Sequence, residues 1–116
     1  MHDIPWIDVN KWFVTAKDTT TYPLFSKTGI HWSVYGANLV GDSIIKFSEN
    51  LLQRTMNRVK FIGDSSNTQY RSTDTDLYDL ANLIFPIKEL ALRYPIIEID
   101  TTITRAESPN RIVIGD

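Results

Sequence analysis

The stretch SVYGANLVGDSIIKFSENLLQR, residues 33–54, carries the strongest helical signal in the chain and sets how its neighbours are read. Ala37, Val40, Ile44, Phe47 and Leu51 recur at spacings of three and four, so one apolar helical face is expected. Ser33 stands where an N-cap hydroxyl belongs. Gly36 and Gly41 fall inside this helix, where each costs about 1 kcal/mol against Ala. Close packing of the helix on a sheet is the expected reason, since a missing Cβ lets backbones approach.

Around that helix lie short β-prone runs. Ile4 to Val9, Val59 to Ile62, Ile96 to Ile99 and Thr101 to Thr104 read as strands. Arg111-Ile112-Val113-Ile114 is an unbroken apolar run, the pattern of a strand buried on both faces. Thr73 or Asp74 is placed to cap a helix from Thr75 to Ile84, with Asp76 and Asp79 near its start and Leu77, Leu80, Ala81 and Ile84 on its apolar face. Ile87 to Arg93 reads as another short helix that Pro95 stops. Strands alternating with helices predict an α/β layered domain with a mainly parallel sheet. A chain of 116 residues holds one such domain, spanning residues 1–116.

Composition narrows the function classes. The net charge is -2 and no Lys/Arg block occurs, which points away from nucleic acid and anionic membranes. Without cysteine there is no thiolate chemistry and no disulfide. The two histidines, His2 and His31, have no carboxylate at metal-ligand spacing, so neither metal nor cofactor is expected. Asp74, Asp76 and Asp79 lack the glycine and closing glutamate of a calcium loop and read as a helix-start charge cluster. Trp6, Trp12 and Trp32 suit sugar stacking or, more commonly, packing. Met1-His2-Asp3-Ile4-Pro5-Trp6 lacks the pattern of a signal peptide.

His31 is the best candidate for chemistry. It sits in Thr28-Gly29-Ile30-His31-Trp32, just before the long helix. The positive end of a helix disfavours imidazolium, and a neutral imidazole is what a general base needs.

The words around it extend the reading. Tyr22-Pro23-Leu24-Phe25 followed by Ser26 to Ala37 resembles the His-containing block of SGNH-hydrolase-like domains in alginate-type polysaccharide O-acetyltransferases. That block has the form Asp-x-His-Trp, then Gly-Ala and a helix. His31, Trp32, Gly36 and Ala37 match it, whereas Gly29 stands where the family has its Asp. In the family a strand and Gly-Asp precede the nucleophilic serine, and Arg111-Ile112-Val113-Ile114-Gly115-Asp116 is similar, with the serine expected as the next residue.

The resemblance implies a partial flavodoxin-like three-layer domain. It further implies His31 as general base, Asp116 in the nucleophile turn and Trp32 near the substrate. The implied substrate is an acetylated polysaccharide of the periplasm or cell surface, and the implied partner is a membrane acyltransferase. Without the serine, the chain is expected to be a C-terminally truncated domain, inactive in acyl transfer. Asp74 and Asp76 are the carboxylates available to replace the one missing at position 29. A relative that only binds glycan or a partner is the alternative.

Val59-Lys60-Phe61-Ile62-Gly63-Asp64-Ser65 is a rival nucleophile block, a strand followed by Gly-Asp-Ser. A nucleophile turn should lead into a packed helix. The residues after Ser65, Ser66-Asn67-Thr68-Gln69, offer no apolar helical face. Gly41-Asp42-Ser43 repeats the tripeptide inside the long helix, where Ser43 has no such role.

Overall fold

A computed structural model describes residues 4–66, 70, 74–82, 84–85 and 91–103. Within them run α1 (Val9–Ala16), α2 (Val34–Leu52), β1 (Val59–Ser66), α3 (Asp76–Ala81) and β2 (Arg93–Ile99).

The strand expected over residues 4–9 is not formed: residues 4–8 are irregular and α1 begins at Val9. The Asp8 side chain accepts the Lys11 N–H at 2.8 Å and caps the helix. Ile4 and Trp6, ahead of that cap, are exposed, and no described strand lies alongside them. Phe13 is buried beneath α1 with Leu24 and Val40, walled by Val9, Trp12, Ala16, Tyr35 and Leu39. Three aromatic rings lean on Phe13: Trp12 at 5.1 Å, Phe25 at 5.6 Å and Trp32 at 5.7 Å.

Helix α2 keeps its expected start. The Ser33 hydroxyl accepts the Gly36 N–H at 3.0 Å and donates to the Pro23 carbonyl at 2.7 Å. Its buried face is rotated from the expected one. Gly36 and Val40 are buried, while Ala37, Ile44 and Leu51 are exposed. Gly36 is required by a loop rather than a sheet: a Cβ there would stand 2.6 Å from the Leu24 carbonyl oxygen. A Cβ at Gly41 would meet nothing within 4 Å. The helix stops at Gln53, which takes the left-handed conformation at φ 49°.

The mainly parallel three-layer sheet is not formed. The described sheet has two strands, and they pair antiparallel, from Val59 opposite Ile99 to Ser66 opposite Arg93. A parallel pair needs a crossover element packed over the sheet. Here α3, inside the connection between the strands, is bonded instead to the loop around Thr28. Ile62 and Ile99 are exposed, as an antiparallel pair tolerates. Helix α2 packs against β2.

Strand β1 runs past Ile62 to Ser66, because a register shift between Phe61 and Gly63 absorbs the glycine as an irregularity in the ladder. Strand β2 ends at Ile99. The Asp100 carboxylate accepts the Thr102 N–H at 3.0 Å, and the Asn57 side chain accepts that of Ile103 at 2.8 Å. These bonds turn the chain at Thr102 and Ile103, inside the run expected to be extended from Thr101 onward. Residue 93 opens β2 rather than closing a helix. The expected strand at residues 111–114, and most of the expected helix at 87–93, lie outside the described residues.

Candidate functional site

The loop carrying His31 is closed at its base by a single antiparallel bridge between Phe25 and Trp32. Its inner side is stitched to the start of α3. The hydroxyls of Ser26 and Thr28 both donate to the Asp74 carbonyl, at 2.7 and 3.0 Å. In return the Thr28 carbonyl accepts the N–H groups of Leu77 and Tyr78, at 2.9 and 3.3 Å. These bonds explain why Ser26 and Thr28 are buried although polar: each hydroxyl has its partner.

Asp76 sits where this seam ends. Its Oδ1 accepts two backbone N–H groups, from Ile30 at 3.0 Å and Leu77 at 2.9 Å. Two donors fix the carboxylate plane and leave Oδ2 to face His31. The His31 Nε2 lies 3.5 Å from that oxygen. This is a charge contact at the outer limit of hydrogen bonding. Contacts of this kind in ligand-free sites are often long and tighten when substrate binds. The His31 side chain is 61% exposed and that of Asp76 24%. Gly29 thus stands where the resemblance has an Asp, and Asp76 brings a carboxylate to the imidazole from another element.

Asp74, the other candidate, serves differently. It is 1% exposed, and the Tyr94 hydroxyl donates to its Oδ2 at 2.6 Å. Tyr94 is itself buried in β2, so this bond ties the seam to the sheet. Sequence reading gave Tyr94 no role. Its signal, a tyrosine in a β-prone run beside a proline, fits many buried positions.

Beside the pair opens a shallow cleft of about 330 Å³, lined by Ile30, His31, Trp32 and Ala37. Trp32 rests one side of its ring near Phe13 and stays 42% exposed. The cleft therefore combines an imidazole with an aromatic wall, and the Asp76 carboxylate reaches it only through its contact with His31. A second cleft, of about 170 Å³, lies between α2 and the sheet near Tyr22, Tyr35, Asp64 and Arg93. There Arg93 is matched by Asp64 at 2.6 Å and stacked on Tyr22 at 4.8 Å, so its charge is already balanced.

The structure does not place Ser65 with His31. Ser65 lies within β1, and its hydroxyl points to the Tyr94 carbonyl at 3.5 Å. A nucleophile turn would put it between a strand and a helix. Ser43 is inside α2, next to Asp42, which pairs with Lys46 at 2.6 Å. Gly115 and Asp116 lie outside the described residues. Among the described residues no group of three or more His, Asp or Glu is arranged to hold a metal ion, and no helix is long and apolar enough to cross a membrane. Comparison with protein-family models, curated proteins and solved structures finds no match.

Proposed function

We propose that the chain supplies the general-base half of a serine-dependent acyl-transfer site for acetylated polysaccharide at the periplasm or cell surface. The observation that supports this most is the 3.5 Å contact between His31 Nε2 and Asp76 Oδ2, with Asp76 already anchored by two N–H groups. A carboxylate on one imidazole nitrogen fixes the tautomer and stabilises the imidazolium that forms during proton transfer. With Asp76 on Nε2, the proton-accepting nitrogen is Nδ1.

In this scheme Nδ1 takes the serine proton as the hydroxyl oxygen attacks the acetyl carbonyl. His31 then returns that proton to the departing alcohol, leaving an acetyl-serine. A sugar hydroxyl, deprotonated in turn by His31, attacks the acetyl-serine carbonyl; the bond to the serine oxygen breaks and His31 passes the proton to that oxygen, and water replaces the sugar in an esterase. Trp32 offers an aromatic face to the sugar. The proposal keeps the site chemistry of the O-acetyltransferase block and not its parallel sheet. A membrane acyltransferase is the proposed donor-side partner.

The serine of the scheme is neither Ser65 nor Ser43. The chain by itself should therefore form no acyl-serine. Incubation with 4-nitrophenyl acetate followed by intact-mass measurement should show no serine-bound acetyl group, and Ser65→Ala should leave the background rate unchanged. A serine adduct on this chain would overturn the assignment.

The second reading is a surface that binds glycan or a partner without catalysis. The exposure of Ile30 and Trp32 in the lining of the same cleft favours it. The two separate on a binding assay: glycan binding by this chain that His31→Asn leaves intact favours the second.

A further inference from the structure

We infer that Asp74 and Tyr94 are positioning residues for the His31–Asp76 pair. The inference rests on reading His31 as the base, yet it concerns geometry and is measured without turnover.

Asp74 holds both sides of the pair at once. Its carbonyl accepts the Ser26 and Thr28 hydroxyls, which belong to the loop that carries His31. Its carboxylate is 1% exposed and accepts the Tyr94 hydroxyl at 2.6 Å. A buried carboxylate is costly unless hydrogen-bonded, so this contact holds Asp74 in one orientation. Asp76 follows two residues later, and its carboxylate meets the Ile30 N–H, next to His31 in sequence. The path from β2 to His31 is therefore continuous: Tyr94, Asp74, the loop at 26–30 and Asp76.

The pair has little slack. At 3.5 Å, the His31–Asp76 contact stands at the edge of useful interaction. A small rotation of the start of α3 would break it while leaving the core of Phe13, Leu24 and Val40 intact. A merely stabilising role for Tyr94 would lower the stability of the fold and leave the pair unchanged in folded molecules.

The test is nitrogen-15 NMR of His31 at alkaline pH, which reads which ring nitrogen carries the proton. Wild-type protein should hold the Nε2–H form facing Asp76. In Tyr94→Phe the ratio of Nε2–H to Nδ1–H should fall about fivefold, the weight of one net hydrogen bond. Asp74→Asn keeps an acceptor for Tyr94 and should retain most of the preference. Should Tyr94→Phe fail to fold, Thr28→Val removes one arm of the same seam with little change of shape and should lower the ratio in the same direction. Wild-type preference that persists unchanged in folded Tyr94→Phe or Thr28→Val overturns this inference. Absence of the preference in wild-type protein, or its persistence in Asp76→Asn, overturns the His31–Asp76 pair itself.

Discussion

His31 and Asp76 come from different elements, a loop and the first residue of α3, and meet with Nε2 and Oδ2 3.5 Å apart. The same carboxylate accepts the N–H of Ile30, the residue before His31. Asp76 thus holds the backbone beside the imidazole and the imidazole itself. Moving the loop away from α3 would break both contacts together.

Asp76→Ala should destabilise the fold by about 1 kcal/mol, because it strips the Ile30 N–H of its acceptor, while the Leu77 N–H keeps the Thr28 carbonyl at 2.9 Å. Asp76→Asn keeps an acceptor oxygen and should cost less than half of that. Urea unfolding of the three proteins measures the difference; equal loss in both variants would contradict the bonding described.

The two helical glycines of α2 should respond in opposite directions. Gly36→Ala drives a Cβ to 2.6 Å from the Leu24 carbonyl oxygen and 3.3 Å from the Phe13 ring. Overpacking of this kind should cost about 1–3 kcal/mol. Gly41→Ala meets nothing within 4 Å and should stabilise by about 0.5–1 kcal/mol, by restricting the unfolded chain and favouring helix. Thermal or denaturant melts of the two variants check the signs.

Glu49 links the end of α2 to the approach to β1. Its carboxyl is held below its ordinary value of 4.5, first by the backbone N–H of Met56 and then by the Arg58 guanidinium. A lowered value in the folded state means stability that is present above pH 4.5 and lost as pH falls through the lower folded value. Glu49→Gln should therefore be less stable than wild type at neutral pH. The gap should close on acidification below the folded value, in paired melts across that range. A gap independent of pH would show that the ionised carboxylate contributes nothing.

Local signals were the legible part of this fold. Helix α2 could be read because Ser33 caps it and its apolar residues recur in helical period. Its orientation could not, since Gly36 and Val40 point inward only because the Leu24 carbonyl and Phe13 wait there. The β-prone runs at 59–62 and 96–99 became parts of β1 and β2, but apolar content does not say which way strands pair. The antiparallel register depends on the long-range partners Val59–Ile99 and Ser66–Arg93. Gly63 looked like the end of a strand and is absorbed within one. Helix α3 begins after Thr75, and it ends at Asn82 in the left-handed conformation, with Leu77, Leu80 and Ile84 exposed. Its expected apolar face was therefore no guide to what α3 contacts.

The site was legible in one half. His31 stood out by its neighbours and its place before α2. The carboxylate opposite it came down to Asp74 or Asp76, and spacing could not choose between them. Burial decides: Asp74 turns inward to Tyr94, which leaves Asp76 at the surface with His31. Tyr94 carried no sign of its part, because its partner is fixed only when β2 and the start of α3 are brought together.

The central claim is that His31 acts as the base, and ester hydrolysis tests it most directly. A variant with a serine appended after Asp116 should be assayed with 4-nitrophenyl acetate, beside the same variant bearing His31→Asn. General-base catalysis predicts serine-dependent turnover that falls by about a hundredfold or more in the variant, with the fold unchanged by circular dichroism. No turnover, or turnover that His31→Asn leaves intact, would contradict the account.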